Sequence, residues 1–270
     1  MTRVAIVIVS FNARDDLARC LASLHDAPPS IPHEIVVVDN GSSDGAAALV
    51  RERFPGVRIL ALDRNVGFAA GTNAGIRASG GELVLLLNSD TIVPPGALDR
   101  LVDRLQRTPE AAVAGPRLVD ADGRPELSFG RMIGPWNELR QKLTLSLYRS
   151  GLARAVRAVE RATRRENFVD WVSGACLLVW RADADAAGLL DERFFLYTED
   201  VDFCAAIRAR GRRVLFTPAA EIVHLRGKSR ATAAAASQAA YRRAHVAFYA
   251  KHHPAWAPLL KLYLRMKGDA

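Results

Sequence analysis

Three acidic residues within four positions, Glu199, Asp200 and Asp202 in "FFLYTEDVDFC" (194–204), follow an aromatic run and open a helix-like stretch. A helix N-terminus favours negative charge, because its amide N–H groups lack intrahelical partners; this accounts for one of the three. A carboxylate set against an apolar wall resists ionisation, and the raised pKa suits it to act as a general base. A second candidate is Asp90 in "ELVLLLNSD" (82–90), where the apolar run 83–87 stops at Asn88-Ser89-Asp90. Pro94 and Pro95 intervene before the next helix, so Asp90 does not read as its cap. A carboxylate there can hold a hard divalent cation, which takes few protein ligands when phosphate oxygens and water complete its shell. His224 follows "EIV" and precedes Arg226-Gly227-Lys228-Ser229. It is placed to ligate a metal or contact a phosphate while the basic turn stabilises a leaving group. The remaining histidines (25, 33, 245, 252 and 253) read as surface residues.

Two further stretches combine turn formers with polar side chains. In "VVVDNGSSDG" (36–45), Asp39 ends a strand and can accept hydrogen bonds from a base or ribose, while Ser42, Ser43 and Asp44 read as caps of the next helix. The stretch has neither the phosphate-cradling P-loop pattern nor the glycine spacing of a dinucleotide fingerprint. In "RNVGFAAGTNAG" (64–75), Gly67, Gly71 and Gly75 recur every four residues and allow close approach of a backbone or a ligand. Asn65 and Asn73 lie among them, and half-buried amides need partners. Tight helix packing is the competing reading.

Positioning these groups falls to an alternation of strands and helices. Strands are predicted at 4–10, 34–39, 57–62 and 82–88, with helices at 15–25, 44–53 and 69–79 between them. That order implies an α/β fold with a mainly parallel central sheet flanked by helices. Ligands of such sheets bind beyond the carboxyl ends of the strands. The polar exits Ser10-Phe11-Asn12, Asp39-Asn40-Gly41 and Asn88-Ser89-Asp90 all fall there. Further on, the patterns predict a helix at 96–108, a strand at 111–119, an arginine-dense helical segment at 136–165, strands at 176–181 and 213–218, and a helix at about 200–210. The Ala-rich stretch 231–240 reads as the start of a helical C-terminal extension.

The chain has 270 residues, 50% hydrophobic and 24% charged, enough for a substantial core without disulfide staples. Three scattered cysteines, Cys20, Cys176 and Cys204, read as reduced core residues and lack zinc-ligand spacing. "VAIVIVS" is too short for a signal-peptide core, and no apolar run is long enough to span a bilayer, so a cytoplasmic location is expected. The net charge of +8 calls for an acidic partner. Nucleic acid is disfavoured because the aromatic residues do not interleave with the basic ones as a stacking surface requires. Self-association into a homo-oligomer is left open.

Taken in order, "VIVSFN", "VVVDNGSSDG", "NVGFAAGTNAGI", "LLLNSD", "DWVSGACLLVWR", "LDERFFLYTEDVDFC" and "VHLRGKS" resemble a family 2 glycosyltransferase with the GT-A fold, closest to the bacterial rhamnosyltransferase-like branch. The resemblance implies a domain over 1–230, with a nucleotide-sugar-binding half at 1–120 and an acceptor-side half at 121–230, followed by the extension 231–270. It implies that Ser10, Phe11, Asn12, Asp39, Asn65, Gly67, Gly71, Asn73, Asn88 and Ser89 meet the donor, with Asp39 at the base. "NSD" stands for the family's DxD-type motif with Asn88 in place of its first Asp, leaving Asp90 and His224 for Mg²⁺ or Mn²⁺. Asp200 becomes the base for the acceptor hydroxyl, with Glu199 beside it, and Trp171, Ser173, Gly174 and Ala175 line the acceptor side. The implied reaction is inverting transfer of a sugar, rhamnose in that branch, from a dTDP-, UDP- or GDP-linked donor to a glycan or lipid-linked glycan in cell-surface assembly. The rival readings are a sugar-nucleotide-forming nucleotidyltransferase, which should carry a glycine- and arginine-rich loop that "SFNARDDL" is not, and a non-catalytic sugar- or lipid-binding module.

The segment 136–165 sets Trp136, Leu139, Leu143, Leu147, Leu152, Val156 and Val159 at roughly helical spacing among eight Lys and Arg. It reads either as helices packed on the sheet with a solvated arginine face or as a basic amphipathic surface resting on an anionic membrane, with "LLKLYLRMK" (259–267) as a second contact.

Overall fold

The computed structural model describes residues 2–225 and 234–266. The first half runs β1 (Val4–Ser10), α1 (Arg14–Asp26), β2 (His33–Asp39), α2 (Ala46–Arg53), β3 (Arg58–Ala61), α3 (Phe68–Arg77), β4 (Leu83–Asn88), β5 (Thr91–Ile92) and α4 (Ala97–Gln106). Next come β6 (Ala111–Val119), β7 (Phe129–Gly130), α5 (Pro135–Arg149), α6 (Ala153–Thr163), β8 (Asn167–Val169), β9 (Trp171–Val172) and β10 (Cys176–Trp180). The chain continues through α7 (Arg181–Ala187), α8 (Glu199–Ala209), β11 (Arg213–His224), α9 (Ala234–His252) and α10 (Ala257–Met266).

The central sheet has the order β3-β2-β1-β4-β10-β6-β11-β5, with β8 also paired to β11. The pairs β3-β2, β2-β1, β1-β4 and β6-β11 are parallel, and β10 runs antiparallel to both β4 and β6. The mainly parallel sheet is therefore present, with β10 inserted in reverse and the short strands β5 and β8 antiparallel to β11. Register brings the polar exits side by side: Ser10 lies opposite Asp39, and Val9 opposite Asn88. Because β10 runs backwards, it starts at that same edge, and Asn88 N–H donates to the Ala175 carbonyl at 2.9 Å. The long strand β11 ends with His224 opposite Thr91 of β5, one residue from Asp90.

The apolar strands are buried on both faces. Ile6, Ile8, Leu85 and Leu87 join a core with α1, α2 and α4, while Val7, Val84 and Leu86 join a second with α3, α7, α8 and α9. Alternation along each strand divides its side chains between the two layers. Helix α3 lies close to the sheet because it has glycines where it crosses β1 and β2. A Cβ at Gly75 would stand 2.4 Å from Val7 Cγ1 and 2.9 Å from Val38 Cγ2; one at Gly71 would stand 3.1 Å from Val9 Cγ1.

Several expectations are corrected. The 44–53 helix begins at Ala46 behind Gly45, which has φ 81°, so Asp44 is not its N-cap residue. Its carboxylate instead accepts from the backbone N–H groups of Ala46 and, across the interloop gap, Arg14. The arginine-dense segment breaks at Gly151 into two helices. His245 is buried and pairs with Glu138, and His252 and His253 are tied to Asp202 and the Ile133 carbonyl, so these three are packing residues. The three cysteines are free and buried, as expected of reduced core residues. The basic turn 226–229, the helix start at 231–233 and Lys267 lie outside the described residues.

Gly75→Ala is expected to destabilise the protein by about 2 kcal/mol, since overpacking against Val7 and Val38 outweighs the gain in helix propensity. Urea denaturation checks this; an unchanged or higher midpoint would show that α3 can lift off the sheet at no cost.

Candidate active site

The strand exits and α8 enclose a cleft of about 470 Å³. One part of its lining holds Phe11, Asn88, Ser89, Asp90, Glu126 and His224; an adjoining part holds Trp171, Ser173, Gly174, Ala175, Glu199 and Asp200. These include every residue assigned by sequence to catalysis, metal binding and the acceptor side. They also include Phe11, Asn88 and Ser89 of the donor set.

Asp200 is the second residue of α8, and its carboxylate is held from two sides. Oδ2 accepts from Gly174 N–H and Oδ1 from Val201 N–H, each at 2.8 Å. A Cβ at Gly174 would lie 3.3 Å from Asp200 Cβ, so glycine lets the β9–β10 connection approach this closely. Burial raises the Asp200 pKa, and the backbone donors only partly counter it. Glu199 is raised well above the ordinary glutamate value, first by burial and then by the neighbouring Asp200 charge. Its Oε2 has no hydrogen-bond partner, and the same holds for Thr198 Oγ1 and Ser128 Oγ on the cleft wall. Unsatisfied buried polar atoms are uncommon, and three around one cleft fit a site completed by a polar ligand.

The approach to α8 is strained. Tyr197 and Thr198 have φ of 74° and 64°, a region that non-glycine residues avoid and that concentrates at functional sites. The segment is docked by Phe68 N–H donating to the Phe195 carbonyl at 2.6 Å. Gly67, with φ 92°, permits that contact, since a Cβ there would fall 2.6 Å from the same carbonyl oxygen. Two residues after Asp200, Asp202 is buried and accepts from Lys251 Nζ at 2.8 Å and pairs with His252 Nε2 at 2.7 Å, both on α9.

In the other part of the lining, His224 Nε2 lies 3.3 Å from Asp90 Oδ1 and Nδ1 lies 3.2 Å from Glu126 Oε2. Burial opposes its charge, but the hydrogen bonds to Asp90 and Glu126 prevail and push its pKa up to about 9. Among the described residues, no three His, Cys, Asp or Glu converge as a preformed metal cage. A carboxylate and an imidazole side by side nevertheless fit the donor types of a divalent cation that draws its other ligands from phosphate and water, provided the cation displaces the imidazole's second proton.

The structure sets the other sequence candidates outside the cleft lining. Asn73 is locked between α3 and the 190–192 loop, donating to the Leu190 carbonyl and Glu192 Oε1 and accepting from Leu190 N–H. Gly71 packs on β1. Asn65 accepts from Asn40 Nδ2 and Gly67 N–H, so it shapes the loop. Asn12 and Ser42 knit the loops after β1 and β2 together, and the Ser10 side chain is buried beneath them. Asp39 is buried and accepts from Ser42 N–H at 3.1 Å. Sequence reasoning missed Glu126 and Ser128, which lie in an irregular stretch with no period to mark them, and Asn40, whose amide braces Val66 and Gly67.

The raised Glu199 pKa has a testable sign. The folded state holds this proton more tightly than the unfolded chain, so its contribution is fully present below the unfolded value, near pH 4.3, and is lost as pH rises through the folded value. Glu199→Gln cannot ionise. Its thermal midpoint should match wild type near about pH 4 and exceed it at neutral pH; a lower midpoint at neutral pH would mean that ionised Glu199 has a stabilising partner.

Comparison with known proteins places this geometry in a family. Residues 5–171 match the profile described as Glycosyl transferase family 2. The N-acetylglucosaminyl-diphospho-decaprenol L-rhamnosyltransferase of Mycobacterium tuberculosis is 32% identical over 278 aligned positions, covering 94% of this chain and 87% of the relative. Among solved structures, the mannosyltransferase PcManGT from Pyrobaculum calidifontis, in complex with GDP-Man and Mn²⁺, superposes with a TM-score of 0.63 at 18% identity, over 96% of this chain and 68% of the other. GalNAc-T7 with UDP, GalNAc and Mn²⁺ gives a TM-score of 0.62 at 16% identity, over 83% and 44%. These structural likenesses establish the GT-A fold.

Proposed function

The chain belongs to glycosyl transferase family 2, and we propose that it moves L-rhamnose from a nucleoside-diphosphate donor to a hydroxyl of a lipid-diphosphate-linked glycan, with inversion, in cell-surface glycan assembly. The observation that carries the reading is the cleft itself, with Asp90 and His224 in one part of its lining and Asp200, of raised proton affinity, in the other. The sugar identity and the lipid carrier rest on likeness to the mycobacterial rhamnosyltransferase.

In this reading the nucleoside is assigned to the first two strand exits, where Phe11 offers a half-exposed ring and Asp39 stands in register beside Ser10. Asp90 and His224 would hold a divalent cation. When bound, it neutralises negative charge on the leaving diphosphate. Asp200 accepts the proton of the acceptor hydroxyl as that oxygen bonds to the anomeric carbon. The bond from that carbon to the diphosphate oxygen breaks, and the nucleoside diphosphate departs with the electron pair. Attack from the face opposite the leaving group inverts the configuration. Gly174 and Val201 keep the base oriented through the transfer. Trp171, buried with Nε1 donating to the Arg131 carbonyl at 2.8 Å, is a fixed surface for the acceptor.

Asp200→Asn should lower kcat by about 10²–10⁴ while leaving donor affinity near wild type. Near-normal transfer by this variant would remove Asp200 from the role. Donor affinity should fall sharply in EDTA, recover with Mn²⁺ or Mg²⁺, and be weak in Asp90→Ala in every buffer. Titration calorimetry with a panel of dTDP-, UDP- and GDP-sugars reads this. Affinity indifferent to both chelation and the substitution would refute the cation site.

A further inference from the structure

The positive charge of this protein is concentrated away from its cleft. Residues 135–165 contain eight Lys and Arg against Glu138 and Glu160, a net +6, and residues 234–266 contain five and no acidic residue, a net +5. The chain total is +8, so all remaining residues together carry a net −3. Basic helices are ordinary on a protein surface, but α5 is unusual in burying nothing. None of its fifteen residues is buried. Its Trp136, Leu139 and Leu143 recur at three and four positions, on one face, with exposures of 73%, 59% and 59%. The neighbouring α6, richer in arginine, instead buries Val159 and Thr163 and turns a solvated basic face outward. Helix α10 repeats the α5 pattern, with Leu259, Leu262 and Met266 at 57%, 55% and 80% exposure beside Lys261 and Arg265.

Both helices are anchored to α9. Glu138 of α5 pairs with Lys142 at 2.6 Å and accepts from Tyr249 Oη while pairing with His245 Nε2, each at 2.9 Å. His253 Nε2 meets the Ile133 carbonyl at 2.7 Å, fixing the start of α5. Lys142 lies within electrostatic reach of Tyr263 of α10. The stretch 126–128 that walls the cleft leads through β7 directly into α5.

We propose that α5 and α10 form one docking face for an anionic phospholipid bilayer, each lying in the interface plane with its leucines inserted and its Lys and Arg at the headgroups. Exposed apolar side chains on a rigidly held helix mark an interaction surface, and the five Lys and Arg that α5 and α10 carry against Glu138 alone select an anionic one. An amphipathic helix of this kind binds in the interface without spanning, and no helix among the described residues is long and apolar enough to cross a membrane. Each Lys or Arg near such a surface strengthens partitioning by about fivefold, and salt removes that gain. The acceptor assigned above gives this face a purpose, but lipid binding does not depend on that assignment.

The test is co-sedimentation of the full chain with phosphatidylglycerol-containing vesicles and with phosphatidylcholine vesicles, at low and high salt. Binding to the anionic vesicles at low salt, at least tenfold weaker at high salt or on neutral lipid, is expected. The triple variant Trp136→Ser, Leu139→Ser, Leu143→Ser should lose at least tenfold in partitioning with an unchanged thermal midpoint, because these side chains are exposed. Donor binding without lipid should be unaltered in that variant, which separates this proposal from the proposed reaction. Absence of binding to anionic vesicles at low salt, or equal binding by the variant, would overturn it. So would concentration-dependent self-association that the same substitutions abolish, since the face would then be an interface between copies of this chain.

Discussion

A half-buried carboxylate that must still be able to ionise is the constraint around which the second half of this protein is arranged. Burial raises the Asp200 pKa and backbone donors lower it; too many donors would leave it too weak a base. The balance is set by backbone N–H groups from Gly174 and Val201, and those two amides sit on different elements that must be brought together. The reversed strand β10 brings in the first by beginning at the edge where the parallel strands end. The second comes with the helix that Asp200 itself opens. The left-handed turn at Tyr197 and Thr198 costs about 1–3 kcal/mol per residue. It persists because Gly67 lets the Phe195 carbonyl seat on α3.

The other part of the lining follows a different logic. There a charged group is stabilised by partners of opposite sign, with His224 between Asp90 and Glu126. One side of the cleft thus favours a proton-hungry neutral state and the other an ionised network, and a polar ligand entering between them meets both. A separation of charge also runs along the chain, in which residues 135–165 and 234–266 carry a surplus of positive charge and the remainder a net −3.

Much of this was legible in the residues. Apolar runs of four to six positions ending at Ser10, Asp39 and Asn88 read as buried parallel strands, and such strands share their exits at one edge. The acidic opening of α8 was equally plain, because three carboxylates exceed what a helix N-terminus needs. The glycine-asparagine stretch misled because spacing alone does not distinguish a ligand's approach from a sheet's; Val7 and Val38 occupy the space below Gly75, and Leu190 and Glu192 satisfy Asn73. Glu126 and Ser128 had no signal, since they sit in a stretch whose only regularity is a two-residue strand, β7, formed with a partner more than forty positions away. The packing of His245, which is buried, and of the half-buried His252 and His253 was hidden for a related reason: their partners Glu138, Asp202 and Ile133 come from distant segments.

The pairing of Asp202 with Lys251 and His252 bears on how the enzyme comes into being on the ribosome. The sheet, both cleft walls and α8 are all encoded before residue 225, and can assemble while the chain is still being made. Until α9 is made, Asp202 lacks both of these partners and any cover that α9 gives it. The first turn of α8, which carries Asp200, gains this tie only when α9 is in place. A chain that stops before residue 251 would therefore lack one of the contacts that hold the turn bearing the base.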